Sequence, residues 1–260
     1  MSDFLMRDDA PLSTEDWEKL DKLVVGVARS LLVGRRFTSI TGPLGVGVQT
    51  VPLLTVDSGE PSMHQVGKRE FLPMQLITQD FRLGWHDIEA SHQAGTALEL
   101  GPAAAASAAC ARAEDEMVFK WLLNAKGHHK ADLTDWKEPG AAFANIVAAT
   151  ETLVGAGFYG PFAVVLSPAL YSKTQRVARG MGRLVSKLIK DVAEGGMFRS
   201  PILAENQGLV VAQGAHNFDL AVAQDLITAY LGPEDMDHGF RVMESLVLRV
   251  KRPGAICVLG

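Results

Sequence analysis

The residues that could do chemistry are seven histidines and a few clustered acids. His128-His129 with Asp132 is the densest group, but adjacent residues in a polar loop rarely converge on one ion, and no third ligand follows at helical spacing. His86, Glu89 and His92 recur every third residue, so pairs of them share a helix face, as in the carboxylate–histidine pairs of di-iron bundles. Such sites need a second pair, and the chain has none, so no metal is expected. Glu114-Asp115-Glu116 can place at most two carboxylates on one side of a helix, and capping, pairing or an inter-subunit acidic spot outweighs acid–base work. No Gly-x-Ser-x-Gly elbow and no phosphate loop occur, and Gly45-Val46-Gly47 sits in a turn cluster instead of a strand–helix unit. Cys110 and Cys257 lie far apart with no Cys-x-x-Cys pair, which reads as two free core thiols. No nucleophile–base set is found, and an enzyme is not expected.

One charge pattern stands out. Lys173, Arg176, Arg179, Arg183, Lys187 and Lys190 follow at intervals of three or four, interrupted by Gly180-Met181-Gly182. On a helix they would line one side, either as a solvated face or as a basic rim facing an opening, an acidic neighbour or an anion. The whole chain nevertheless carries a net charge of -5, which gives no support to a nucleic-acid-coating role. The longest apolar runs, such as Phe162–Leu166 and Leu209–Ala212, are strand-sized, whereas a membrane span needs ~20 residues. With no basic region followed by an apolar run near Met1, a soluble cytoplasmic chain is expected.

The elements that would position these residues are legible in outline. Ser13 precedes Thr14-Glu15-Asp16-Trp17, and Trp17, Leu20, Val24, Val27, Ala28, Leu31 and Leu32 form one apolar stripe, so a capped amphipathic helix runs to Gly34. From Phe37 to about Trp85, short β-prone pieces alternate with glycines and prolines, and Val46–Phe71 has too few apolar residues for its own core. Such an arm must lie on a neighbour. Pro102–Lys126 is the longest helix, small on every face over Ala103–Ala111 and therefore closely packed. A helix over Ala141–Gly155, a strand Phe162–Leu166 and a helix from Ser167-Pro168 follow. Tyr171–Val192 is helical with a glycine interruption, and strands are expected at Ile202–Leu203, Gly208–Ala212, Leu220–Ala223, Phe240–Lys251 and Ala255–Leu259.

In their order and spacing, several short motifs resemble the family-one encapsulins, the linocin-type shell proteins. They are Phe4-Leu5, Ala10-Pro11-Leu12, Trp17-x3-Asp21, Gly34-Arg35-Arg36-Phe37, Gly42-Pro43-x-Gly45, Ala113-Glu114-Asp115-x2-Val118-Phe119, Gly160-Pro161-Phe162, Gln224-Asp225-Leu226, Glu244-Ser245 and Pro253-x-Ala255-Ile256. The resemblance implies an α+β fold of the tailed-phage major capsid (Hong Kong 97) type. Residues 1–40 would form the N-terminal helix and the start of a peripheral domain, 41–79 an extended loop, 80–130 the peripheral domain with its spine helix, 131–224 an axial domain and 225–260 the peripheral C-terminal strands. It further implies an icosahedral homo-oligomer, sixty copies in its smallest form, enclosing a peroxidase or ferritin-like cargo enzyme that carries a C-terminal targeting peptide. Val24, Val27, Ala28, Leu31, Arg35, Asp225 and Tyr230 would line the docking groove for that peptide. Arg179, Gly180, Met181, Gly182 and Arg183 would form the vertex pore loop. Trp85 stands where some members hold a flavin, but Arg183 replaces the tyrosine that completes that contact, so no cofactor is expected. A phage or prophage major capsid protein is the alternative reading of the same fold.

Overall fold

A computed structural model describes residues 3–57, 65–178, 180 and 182–260. Helix α1 (Thr14–Leu31) starts with a capping box: Ser13 Oγ accepts from the Asp16 amide and Asp16 Oδ2 from the Ser13 amide. Short strand β1 (Ser39–Thr41) leads to the hairpin β2 (Thr50–Asp57) and β3 (Gln65–Pro73), then to β4 (Gln75–Leu83) and helix α2 (Trp85–Ala94). The long helix α3 (Gly101–Leu123) has Pro102 in its first turn, where no amide is lost from the ladder. Its Ala103, Ala106 and Cys110 are buried against α1, close enough that Ser107 Oγ donates to Val24 O at 2.6 Å.

The chain continues through β5 (His129–Ala131), α4 (Ala141–Gly155), β6 (Phe162–Leu166), α5 (Pro168–Lys173), α6 (Val185–Val192), β7 (Gly196–Arg199) and β8 (Gly208–Ala212). It closes with β9 (Phe218–Glu234), β10 (Asp237–Val250) and β11 (Ile256–Leu259). One sheet has the order β1-β9-β10-β4, the other β5-β11-β8-β6-β7. Both faces of the second sheet are covered. Ala163, Val165, Leu209, Val211 and Ile256 meet Val118, Phe119 and Leu122 of α3, while Val164, Leu166, Val210 and Leu259 meet α4 and α6. The α3 contact also includes Phe218, Leu220, Leu246 and Leu248, so one core runs beneath both sheets.

Several boundaries differ from expectation. Strand β9 begins at Phe218 and runs to Glu234 across the expected division at 224, because its pairing with β10 carries it through Gly232-Pro233. Residues 256–259 do not join the peripheral strands; β11 pairs with β5 and β8 in the five-stranded sheet. Residues 75–79 belong to β4, paired with β10, and not to the arm. Ile202–Leu203 is a turn, and Gly196–Arg199 is the strand instead. The arm itself borrows from its own chain first: Val51, Leu53 and Leu72 pack on Ala221 and Val247, while Phe71 stays 65% exposed.

A groove beside a buried ionic cluster

A groove of about 360 Å³ runs between α1, the turn after it, β1 and β9, lined by Val25, Ala28, Leu32, Arg35, Ile40 and Leu226 with Arg29, Arg36 and Asp225. Of the seven expected docking residues, the structure brings Ala28, Arg35 and Asp225 to it. Val24 is buried against α3, and Tyr230 lies in the cluster of Trp17, Phe81 and Phe240, its hydroxyl 2.8 Å from His238 Nδ1. Val27 is half-buried and Leu31 exposed, and neither lines the groove. The reason is rotational. With about 100° per residue, Leu20 and Val24 face α3, Val25 and Arg29 turn to the groove, and Ala28 lies at the edge, lining the groove while it packs with Leu32 on Ala111 of α3. This offset of one residue from the apolar stripe is what marks Val25 and Arg29 in the sequence.

The groove's floor is ionic. Arg35 Nε donates to Glu114 Oε1 and Oε2 at 2.8 and 2.9 Å, Nη2 to Glu114 Oε2 at 2.7 Å and to Glu244 Oε2 at 2.8 Å, and Nη1 to Asp225 Oδ1 at 2.7 Å. Glu114 and Glu244 are 0% and 1% exposed. Burial, then the charge of Glu114, pushes the Glu244 carboxyl up to about 9. Burial also acts on Asp225, but the hydrogen bond and charge of Arg35 outweigh it and hold that carboxyl below its ordinary value. Asp115, one residue round from Glu114, accepts from the amides of Val33 and Gly34 at 2.9 and 2.8 Å and caps the turn that presents Arg35. Burial nevertheless raises it to about 6. The three consecutive acids thus split into an ion-pair partner, a backbone cap and a surface residue, Glu116, which pairs with Arg112.

The basic series is not one helix face. Lys173 ends α5, Lys187 and Lys190 lie on α6, and between them the chain doubles back: Val177 pairs with Leu184, Ala178 N donates to Arg183 O, and Val185 N to Arg176 O. Gly180 and Gly182 have φ of 78° and 62°, which breaks any helix there. Arg183 is paired with Asp191 at 2.9 Å. Arg179 and Met181 lie outside the described residues. Trp85 opens α2 with its ring stacked on that of His86, the centroids 3.6 Å apart, and Arg183 pairs with Asp191. His92 contacts Asp16 and His128 contacts Ala125 O; no group of three metal-ligating side chains forms among the described residues. Burial pushes the Cys110 thiol up to about 12 and that of Cys257 to about 11.

Two sheets, a spine helix and a hairpin arm define a capsid-like protein. The fold matches a virus-like particle from Pyrococcus furiosus (TM-score 0.84, 24% identity, 95% of this chain and 100% of that one). It also matches the capsid of a myovirus, phage XM1 (TM-score 0.59, 12% identity, 85% and 88% covered). The family model described as an encapsulating protein for peroxidase matches residues 1–247. A type 1 encapsulin shell protein, EncA of Myxococcus xanthus, is 42% identical over 100% of this chain and 97% of its own length. The chain belongs to the encapsulin shell-protein family, as a structural subunit and not an enzyme. The phage reading is set aside, since its likeness at such low identity extends to the fold alone. No helix among the described residues is long and apolar enough to cross a membrane.

Proposed function

We propose that copies of this chain close into an icosahedral shell of sixty subunits in the cytoplasm, and that the α1–β9 groove receives the C-terminal peptide of an enclosed enzyme, a peroxidase in the first instance. The observation that carries the docking assignment is the groove itself. It has apolar walls with Val25 and Ile40 still 42% and 51% exposed, beside the fixed charges of Arg35 and Asp225. Such a contact is weak for one peptide but effective when many tethered tails share a closed volume.

The test is retention of cargo. Particles are assembled with a peroxidase bearing its own C-terminal tail and with the same enzyme lacking it. Val25→Glu with Ile40→Glu is expected to leave particle sedimentation unchanged and to cut retained peroxidase at least to the tailless level. Retention undiminished in the double variant would remove the groove from this role. Negative-stain images showing shells wider than the smallest icosahedron would correct the copy number.

A further inference from the structure

The cluster under the groove has more carboxyls than cations. Glu114, Glu244 and Asp225 all draw on the guanidinium of Arg35. No donor reaches Glu244 Oε1 among the described residues, and Glu114 Oε2 and Glu244 Oε2 converge on the same Arg35 Nη2, at 2.7 and 2.8 Å. Two carboxylates offer only acceptors, so they stay together, out of water, when one proton lies between them. The other charged or titratable groups around the pair are already committed. Asp115 on α3 holds the Val33 and Gly34 amides, Arg36 donates to Ser30 O, and the Cys110 thiol donates to Val242 O. None of them supplies a second cation to Glu244.

We infer that the Glu114–Glu244 pair is a proton switch for the groove wall. This deepens the docking assignment above and rests on it only for its biological use. While the pair keeps its proton, Arg35 spares Nη1 for Asp225, and Asp225 Oδ1 also accepts from the Leu226 amide at 2.9 Å, which fixes the wall. When the proton passes to solvent, two buried anions compete for the guanidinium and draw it inward. Asp225, with its side chain 62% exposed, is released.

The direction with pH follows. An acid raised in the folded state binds its proton more tightly than the unfolded chain does. Its stabilising share is complete below the ordinary glutamate value and is lost as pH climbs toward about 9. The wall is therefore held at acid and neutral pH and freed in alkali.

Hydrogen exchange read by mass spectrometry on empty wild-type particles tests this without any peptide. After correction for base-catalysed intrinsic exchange, protection of residues 222–228 is expected to fall roughly tenfold between pH 7 and pH 10, the change carried by about one unit of proton affinity. Strand β8 should not change. Glu244→Gln keeps the shape and cannot ionise, so its wall should stay protected at both pH values. Asp225→Asn, at an exposed position that does not endanger folding, should exchange at both pH values as the wild type does in alkali. A wild type and Glu244→Gln that exchange alike at pH 10, or an Asp225→Asn wall as protected as the wild type, would overturn the switch. Neither result touches cargo retention, and loss of the docking assignment would leave these rates unchanged.

Discussion

The β9–β10 ladder carries two coverings, and they meet the demand for burial in opposite ways. On one face, even-numbered residues of β10, from Phe240 through Val242 and Leu246 to Leu248, are sealed beneath α1 and α3, and the one charged residue in that row, Glu244, is paired where it lies. On the other face, Ala221 and Val247 meet Val51, Leu53 and Leu72 of the arm, and Arg249 donates to Pro52 O at 3.3 Å. Beyond that small contact the arm and its flank leave Phe71 and Leu76 65% and 68% exposed. The helix layer buries its inward face within one chain, with Val25 of α1 left open along the groove. The arm leaves these apolar side chains open, as a surface that meets a neighbouring subunit does.

The largest break in this comparison is expected on the sealed side. Phe119 is fully buried where α3 joins both sheets, tilted against Phe37. Phe119→Ala should cost the isolated subunit about 3–5 kcal/mol, read as a fall in the denaturant midpoint, since the site is too rigidly walled to collapse. A loss under about 1 kcal/mol would show that the two sheets do not share a core at this point.

A smaller effect belongs to the start of the sealed layer. Ser13→Ala removes the hydroxyl that accepts from the Asp16 amide and leaves the first turn of α1 uncapped. About 1 kcal/mol of subunit stability should be lost, measured in the same titration. Asp16 accepts from both the Ser13 hydroxyl and amide, at 2.6 and 3.1 Å, so Ser13→Thr should restore much of the loss, whereas Ser13→Asp, which sets a second carboxylate against Asp16, should not.

What could be read in advance follows the same division. Helices α1 and α3 are visible because a cap, a first-turn proline and an apolar period act locally. The row Phe240-x-Val242-x-Glu244-x-Leu246-x-Leu248 also shows that Glu244 shares the buried face, a signal that period-two parity makes available. Two other features are hidden for physical reasons. The far half of β9 contains Asp225, Gly232 and Pro233, which read as breakers, and it is a strand only because β10 pairs with it across the Asp235–Met236 turn, where both residues take positive φ without a glycine. The basic series has helical spacing, but Gly180 and Gly182 and the backbone bonds across the loop decide for a doubled-back chain. In the groove, Arg35 and Asp225 are marked by their motifs, whereas Val25 and Ile40 are not, because a surface that awaits a partner follows no rule of burial within one chain.

The smallest effect on the subunit is expected from the incomplete side, and it separates the two regions most sharply. Phe71 and Leu76 touch little within their own chain, so Phe71→Ser with Leu76→Ser should shift subunit stability by no more than about 0.5 kcal/mol, as surface substitutions do. Assembly is a different quantity. Every copy in a closed shell repeats the same contact, and removing two apolar anchors from each one weakens every interface at once. Gel filtration of the double variant should therefore show folded subunits or small oligomers in place of particles, with the circular dichroism spectrum of the wild type. Intact particles would mean that these two side chains remain exposed in the shell, and the arm would then have to find its neighbour through its other face.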